Sequence, residues 1–142
     1  MYYHITFGTY ERRPVLVPDR REEFLKFCWG VVTRLEGKLY RINAVEDHLH
    51  MLVAIPVTMA VSEFIKTFKL ATNAWAKESG AFPGFEHWQE GYGIFTTSHA
   101  EKDGLIEYIK NQQEHHRKES FRDEFRRLLR EAGVEFEERF LP

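Results

Sequence analysis

The chain has 142 residues, enough to bury one ordinary core and too few for two domains, and its 43% hydrophobic and 30% charged residues are those of a globular protein. No apolar run approaches the roughly 18 to 20 residues of a membrane span, and the N-terminus lacks a signal-peptide pattern, so a cytoplasmic location without membrane contact is expected. A formal net charge of −2 argues against a strongly basic nucleic-acid coat but leaves room for local patches, and with Cys28 the only cysteine no internal disulfide can form.

The predicted elements alternate strand and helix. Tyr3, Ile5 and Phe7 alternate with His4 and Thr6, the period of a half-buried strand, and Arg12, Arg13 and Pro14 close it. Asp19 with Glu22 reads as a capping box, opening a helix whose face carries Phe24, Leu25, Cys28, Val31, Val32 and Leu35 until Gly37. Leu39 to Val45 and Leu49 to Ile55 read as two strands joined by a tight acidic turn at Glu46 and Asp47. From Val61 to Ser79 apolar residues recur at helical spacing, with Gly80 as the stop. Ala81 to Gly84 reads as a loop, and Phe85 to Ser98 as strands broken at Gly91 and Gly93. Ser98 with Glu101 signals a helix carrying Leu105, Tyr108, Ile109 and Gln112. A last helix, Phe121 to Ala132, buries Phe121, Phe125, Leu128 and Leu129 before Gly133. This order predicts an α+β, ferredoxin-like (RRM-like) sandwich, an antiparallel sheet covered on one face by two helices, with residues 1–142 as a single domain.

Chemistry concentrates in two segments. In a strand, His48 and His50 point to one face about 6.6 Å apart, while Leu49, Met51 and Val53 point into the core. Two convergent imidazoles on a stiff strand can grip a divalent cation. Tyr108 and Gln112, four apart on a helix, share a face, so a phenol and a carboxamide can enter the same site, with Gln113 turned away. Gln112 offers a hard oxygen suited to Mg²⁺ or Mn²⁺. Such a cation would polarise a phosphodiester while the Tyr108 oxygen attacks phosphorus.

Each feature also has a plainer reading. Among seven histidines a His-x-His spacing arises by chance, and a tyrosine on an amphipathic helix usually packs in a core or interface. Trp88, Tyr92 and Phe95 can stack nucleobases or simply fill the interior. His115 and His116 read as helix-end charges. Two alternatives to the tyrosine chemistry stay open: a non-catalytic RNA- or DNA-binding module of the same fold, and a metal-dependent phosphodiesterase in which water attacks.

His48-Leu49-His50 resembles the histidine–hydrophobic–histidine signature of HUH endonucleases. Tyr108-Ile109-x-x-Gln112 resembles the tyrosine motif of the single-tyrosine HUH transposases of small bacterial insertion sequences and their REP-associated relatives. Tyr3-His4-Ile5-Thr6-Phe7, Asp47 to Val53 and Trp88-Gln89-Glu90-Gly91-Tyr92-Gly93 stand in the same order and spacing, so the resemblance covers nearly the whole chain. It implies a transposase acting on single-stranded DNA, with His48, His50 and Gln112 as ligands of Mg²⁺ or Mn²⁺. Tyr108 would become linked to the 5′ phosphate. It further implies hairpin-bearing element ends as substrate, and a homodimer whose composite sites exchange tyrosine helices. Lys66, Lys69, Arg12 and Arg13 are candidate phosphate contacts. An acidic residue just before the histidines can assist the metal in such enzymes, and strand alternation favours Glu46 over Asp47 for the histidine face.

Overall fold

The computed structural model describes residues 2–114 and 119–131. Four strands, β1 (Tyr2–Gly8), β2 (Lys38–Ala44), β3 (His48–Ala54) and β4 (Gly93–Thr97), form one antiparallel sheet in the order β2-β3-β1-β4. Among the described residues the helices α1 (Arg21–Arg34), α2 (Val61–Ser79), α3 (Lys102–Lys110) and α4 (Phe121–Glu131) accompany it, and residues 112–114 are also helical.

Strand alternation splits the sheet into two chemically distinct faces. Ile5 and Phe7 of β1 join Leu49, Met51 and Val53 of β3, and α1 and α2 close over them with Phe24, Cys28, Val31, Val32, Phe64, Ile65 and Phe68. Burying each of these large side chains contributes about 1.5–3 kcal/mol, so this layer dominates stability. The opposite face carries His4, Thr6, His48 and His50, all buried, together with Leu52. It is closed by α3, which touches β2 and β3, and by α4, whose Phe121 lies flat on the His48 ring at 4.1 Å. Every residue from His48 to Val53 is therefore buried, as in a strand covered on both sides.

Two glycines make room for α4. A Cβ on Gly93 would stand 2.6 Å from the Phe125 ring, closer than real carbon contacts, and one on Gly8 would stand 2.3 Å from Gln89 Oε1 and a tight 3.1 Å from the Phe121 ring. Bare backbone at these strand positions lets both phenylalanines sit directly on the sheet.

The structure departs from the sequence expectations in several places. Helices cover both faces rather than one. Asp19 does not cap α1; it lies in a 3-10 turn, Pro18–Arg20, and no side chain caps the helix. That helix ends at Arg34, and the left-handed residue behind it is Glu36, one position before Gly37. Gly80 does end α2 in the left-handed conformation. Of the predicted strands between Phe85 and Ser98 only β4 forms. The preceding stretch contributes a single bridge between Thr9 and Trp88, because the Trp88 ring turns inward against Phe7, Phe24 and Phe85. Within α4, Phe121 and Phe125 are buried whereas Leu128 and Leu129 are half-buried. His115, His116, Ala132 and Gly133 lie outside the described residues. No helix among the described residues is long and apolar enough to cross a membrane.

Candidate active site

The histidine pair projects from β3 next to Thr6 and Gly8 of β1. Asn43 at the end of β2 fixes the facing helix: its side-chain amide donates to the carbonyls of Ile109 (3.0 Å) and Lys110 (3.2 Å) in the last turn of α3. Gln113 is turned away from the histidines, as its helical position requires, and bonds Asn43 instead (3.0 and 3.1 Å). Helix α3 ends at Lys110, Asn111 forms a turn, and Gln112 enters the site from the helical stretch that resumes directly after it.

The four residues expected at the site do converge, but on a fifth. Glu124 of α4 is buried between them with its two oxygens divided. Oε1 faces the histidines, 2.7 Å from His50 Nε2 and 3.4 Å from His48 Nε2. Oε2 accepts from the Tyr108 hydroxyl and from Gln112 Nε2 at 3.0 Å. Behind the histidines stands a second layer. His48 Nδ1 lies 2.7 Å from Asp47 Oδ1, and His50 Nδ1 lies 2.7 Å from His4 Nε2. Asp47 thus backs His48 and His4 backs His50; as a turn residue, Asp47 is not bound by the strand alternation that favours Glu46.

Charge follows from this packing. Burial opposes ionisation of Glu124, but the hydrogen bonds from His48, His50 and Gln112 outweigh it and hold the carboxyl far below the usual range, so it is a carboxylate. Burial pulls His48 down, yet Asp47 and Glu124 more than offset this and raise it, whereas in His50 burial wins and lowers it. His4 is pushed to about 3 by burial and by its neighbour His50, and is neutral. Burial, then the nearby Glu124 charge, raises the Tyr108 phenol well above its ordinary value; Arg127 opposes the rise.

His48, His50 and Glu124 present ligand atoms all within 4.8 Å of one another. Donors about 2.1 Å from an octahedral cation stand roughly 3 to 4.2 Å apart, so little adjustment would seat one. One observation bears directly on fit: Gln112 Oε1 is buried without a hydrogen-bond partner. Its amide nitrogen points at His48 Nε2, 3.4 Å away, and exchanging the two amide positions would aim the orphaned oxygen at the histidines, where a cation would satisfy it. Holding a cation at both Nε2 atoms requires the tautomers in which Nδ1–H donates to Asp47 and to His4, and both acceptors are in place. The residues fit a divalent metal; its identity is not fixed by them.

The family model described as "Transposase IS200 like" matches residues 1–112. The chain belongs to the IS200-like transposase family. It is 30% identical over 122 residues to the transposase for insertion sequence element IS200 of Salmonella typhimurium, covering 79% of this chain and 76% of that protein, and equally to the one of Salmonella typhi. In fold, this IS200-like transposase resembles the crystal structure of a putative transposase from Deinococcus radiodurans R1 (TM-score 0.62, 21% identity, covering 79% of this chain and 90% of that one). It also resembles a REP-associated tyrosine transposase bound to a REP hairpin (TM-score 0.61, 14% identity, covering 81% and 67%).

The family match stops at Gln112, so Glu124 and its helix lie outside it. Sequence reasoning missed Glu124, His4 and Arg127. A signal for Glu124 was present: it falls on the apolar stripe of α4, three residues after Phe121 and one before Phe125, an unusual place for a carboxylate. The other candidates scatter. Trp88 is buried and donates its indole N–H to Thr72 (2.8 Å), so it cannot stack a base, and Phe95 lies between His4 and Phe125. Arg13 is paired with Glu11 and Glu86. Lys66 and Lys69 line a surface groove of about 530 Å³ that includes the half-exposed Tyr92.

Proposed function

We propose that this IS200-like transposase cleaves and rejoins single-stranded DNA, with Tyr108 as nucleophile and a divalent cation, Mg²⁺ or Mn²⁺, held by His48, His50 and Gln112 together with Glu124. The observation that carries the reading is the split carboxylate of Glu124, one oxygen on the histidine pair and the other on the Tyr108 hydroxyl. It links the metal-ligating end of the site to the attacking group without an intervening residue. The β2-β3-β1-β4 order with paired helices supports the ferredoxin-like form of the α+β fold.

The step balances as a phosphoryl transfer. The Tyr108 oxygen forms a bond to phosphorus as its proton leaves by way of Glu124 Oε2 to solvent, the bond from phosphorus to the 3′ oxygen breaks, and that oxygen takes up a proton from water to leave as a 3′ hydroxyl. Rejoining is the reverse, a 3′ hydroxyl displacing the tyrosine. Held by His48, His50, Gln112 and Glu124, a cation would supply positive charge to the site and would offset the Glu124 charge that holds the proton on Tyr108. Asp47 and His4 orient the imidazoles.

The substrate reading, hairpin-bearing element ends, rests on the family and on the REP hairpin in the related complex. Tyr108 meets Glu124 of its own chain; a homodimer exchanging tyrosine helices would build the same contact between chains. Incubating the protein with Mn²⁺ and single strands from the DNA flanking its gene, then separating on denaturing gels, should trap a protein–DNA adduct. Cleavage without an adduct would instead favour attack by water. Mixing Tyr108→Phe chains with His48→Ala chains distinguishes the two assemblies: recovered activity means composite sites, and none despite verified heterodimers means sites complete in one chain.

A further inference from the structure

We infer that Arg127 forms a phosphate-binding subsite at the nucleophile and grips the phosphate that Tyr108 attacks. Nothing in the sequence motifs points to it, and it lies on α4, beyond the family match at residues 1–112. The inference rests on the tyrosine reading above. Its Nη2 donates to the Tyr108 oxygen at 2.5 Å, and the guanidinium carbon stands 5.4 Å from the centre of the Tyr108 ring. Glu119 holds the same guanidinium through Nε (3.2 Å) and Nη2 (3.1 Å), and Glu131 bonds Nη1 at 3.1 Å. The charge is therefore fixed in place beside the phenol, with about a third of the side chain (35%) still open to solvent.

Geometry does the rest. A phosphorus poised for in-line attack stands about 3–3.5 Å from the attacking oxygen. Nη2 already touches that oxygen, so a phosphate approaching from the guanidinium side can bring a non-bridging oxygen within reach of Arg127, either at the remaining Nη1 hydrogen or by displacing Glu119. Arginine is suited to this task because its planar fork is permanently charged and matches phosphate. The arrangement also divides labour across the nucleophile. Glu124 accepts on one side of the Tyr108 oxygen and Arg127 donates on the other, so the cation end of the site and the guanidinium flank the transferring phosphate. The same contact persists after cleavage, when the phosphate is bonded to Tyr108, and in a product strand ending in a 5′ phosphate.

That last property gives a test whose readout is binding, once the cleavage position is known. The cleavage position is first mapped on single strands from the flanking DNA with the wild-type protein and Mn²⁺. Two synthetic strands beginning at that position are then compared by fluorescence anisotropy, one with a 5′ phosphate and one with a 5′ hydroxyl. Wild type should prefer the phosphorylated strand by at least about 10-fold, the worth of one charge-assisted hydrogen bond pair. Arg127→Gln should lose the preference, and Arg127→Lys should keep part of it as a point charge without the fork. At saturating strand, the rate of adduct formation by Arg127→Gln should fall on the order of 10²-fold with the KM for the hairpin-bearing strand unchanged. If Arg127 only braced α4, Arg127→Gln would weaken both strands alike and keep the wild-type ratio, which overturns the subsite. A wild type indifferent to the 5′ phosphate overturns it too. Failure of the tyrosine reading itself looks different, since no adduct then forms with any strand.

Discussion

The two faces of the sheet are built on opposite principles. Toward α1 and α2 the interior is hydrocarbon: Ile5, Phe7, Leu49, Met51 and Val53 meet Phe24, Phe64 and Phe68 without a charge among them. Toward α3 and α4 the same strands bury three histidines, and the helices bring a carboxylate, a phenol and a carboxamide, each bonded to another. The first face gives stability, since apolar burial needs no partner. The second is tolerated because its groups are paired, and a buried charge that loses its partner costs several kcal/mol. One strand thus serves both purposes through side-chain alternation alone: Leu49, Met51 and Val53 hold it down while His48 and His50 do chemistry.

If this division is real, substitutions on the two faces should have opposite signatures. The largest effect belongs to Tyr108→Phe, which should lower adduct formation by at least roughly 10³-fold, the range seen when a covalent nucleophile is removed, while Glu124 keeps its bonds to His50 and Gln112 and the fold loses only about 1.5–3 kcal/mol, the worth of one hydrogen bond to a charge. A comparable adduct from the phenylalanine protein would reject the tyrosine. Next, the double variant His48→Ala, His50→Ala should lose Mn²⁺ binding in calorimetry; equal affinity in variant and wild type would remove the metal reading. On the other face, Phe68→Ala should destabilise the fold by about 3–5 kcal/mol in urea titration, yet leave adduct formation per folded molecule near wild type. Loss of chemistry in a fully folded Phe68→Ala protein would mean the faces are coupled.

The unequal legibility of the two faces in the sequence has the same physical origin. Strand alternation at Tyr3-Ile5-Phe7 and Leu49-Met51-Val53, and the helical spacing of Phe64, Ile65 and Phe68, are local patterns, and each one forms as read. His48, His50, Tyr108 and Gln112 could be brought together because two short motifs carry them. Glu124 reaches them across 74 positions from His50. Its burial depends on α4 docking where Gly8 and Gly93 leave space, and no local period encodes that docking. The region before β4 was misread for a related reason. Its aromatic content resembles a strand, but Trp88 commits its ring to the hydrocarbon face and its N–H to Thr72, and the backbone there makes only the isolated bridge to Thr9.

The smallest predicted effect tests the border between the faces and solvent. Lys69 extends from α2 with its ammonium 4.9 Å from the Phe7 ring and donates to the backbone carbonyls of Gln89 (3.0 Å) and Gly91 (2.6 Å). Partial burial lowers its pKa from the usual 10.5 to about 8, against the opposing pull of Glu90. Since the folded value lies below the unfolded one, the unfolded chain holds more protons between these limits, and stability must rise as pH climbs through the window from about 8 to 10.5. Solvent reaches this lysine, so screening keeps the rise well below what a fully buried amine would give. Urea midpoints measured at intervals across the window should show the rise in wild type and a smaller one in Lys69→Met, which keeps the apolar stem over Phe7 and removes the titrating group. Matching profiles would mean that the two carbonyls solvate the ammonium as well as water does, and that the edge of the hydrocarbon face ends before Lys69.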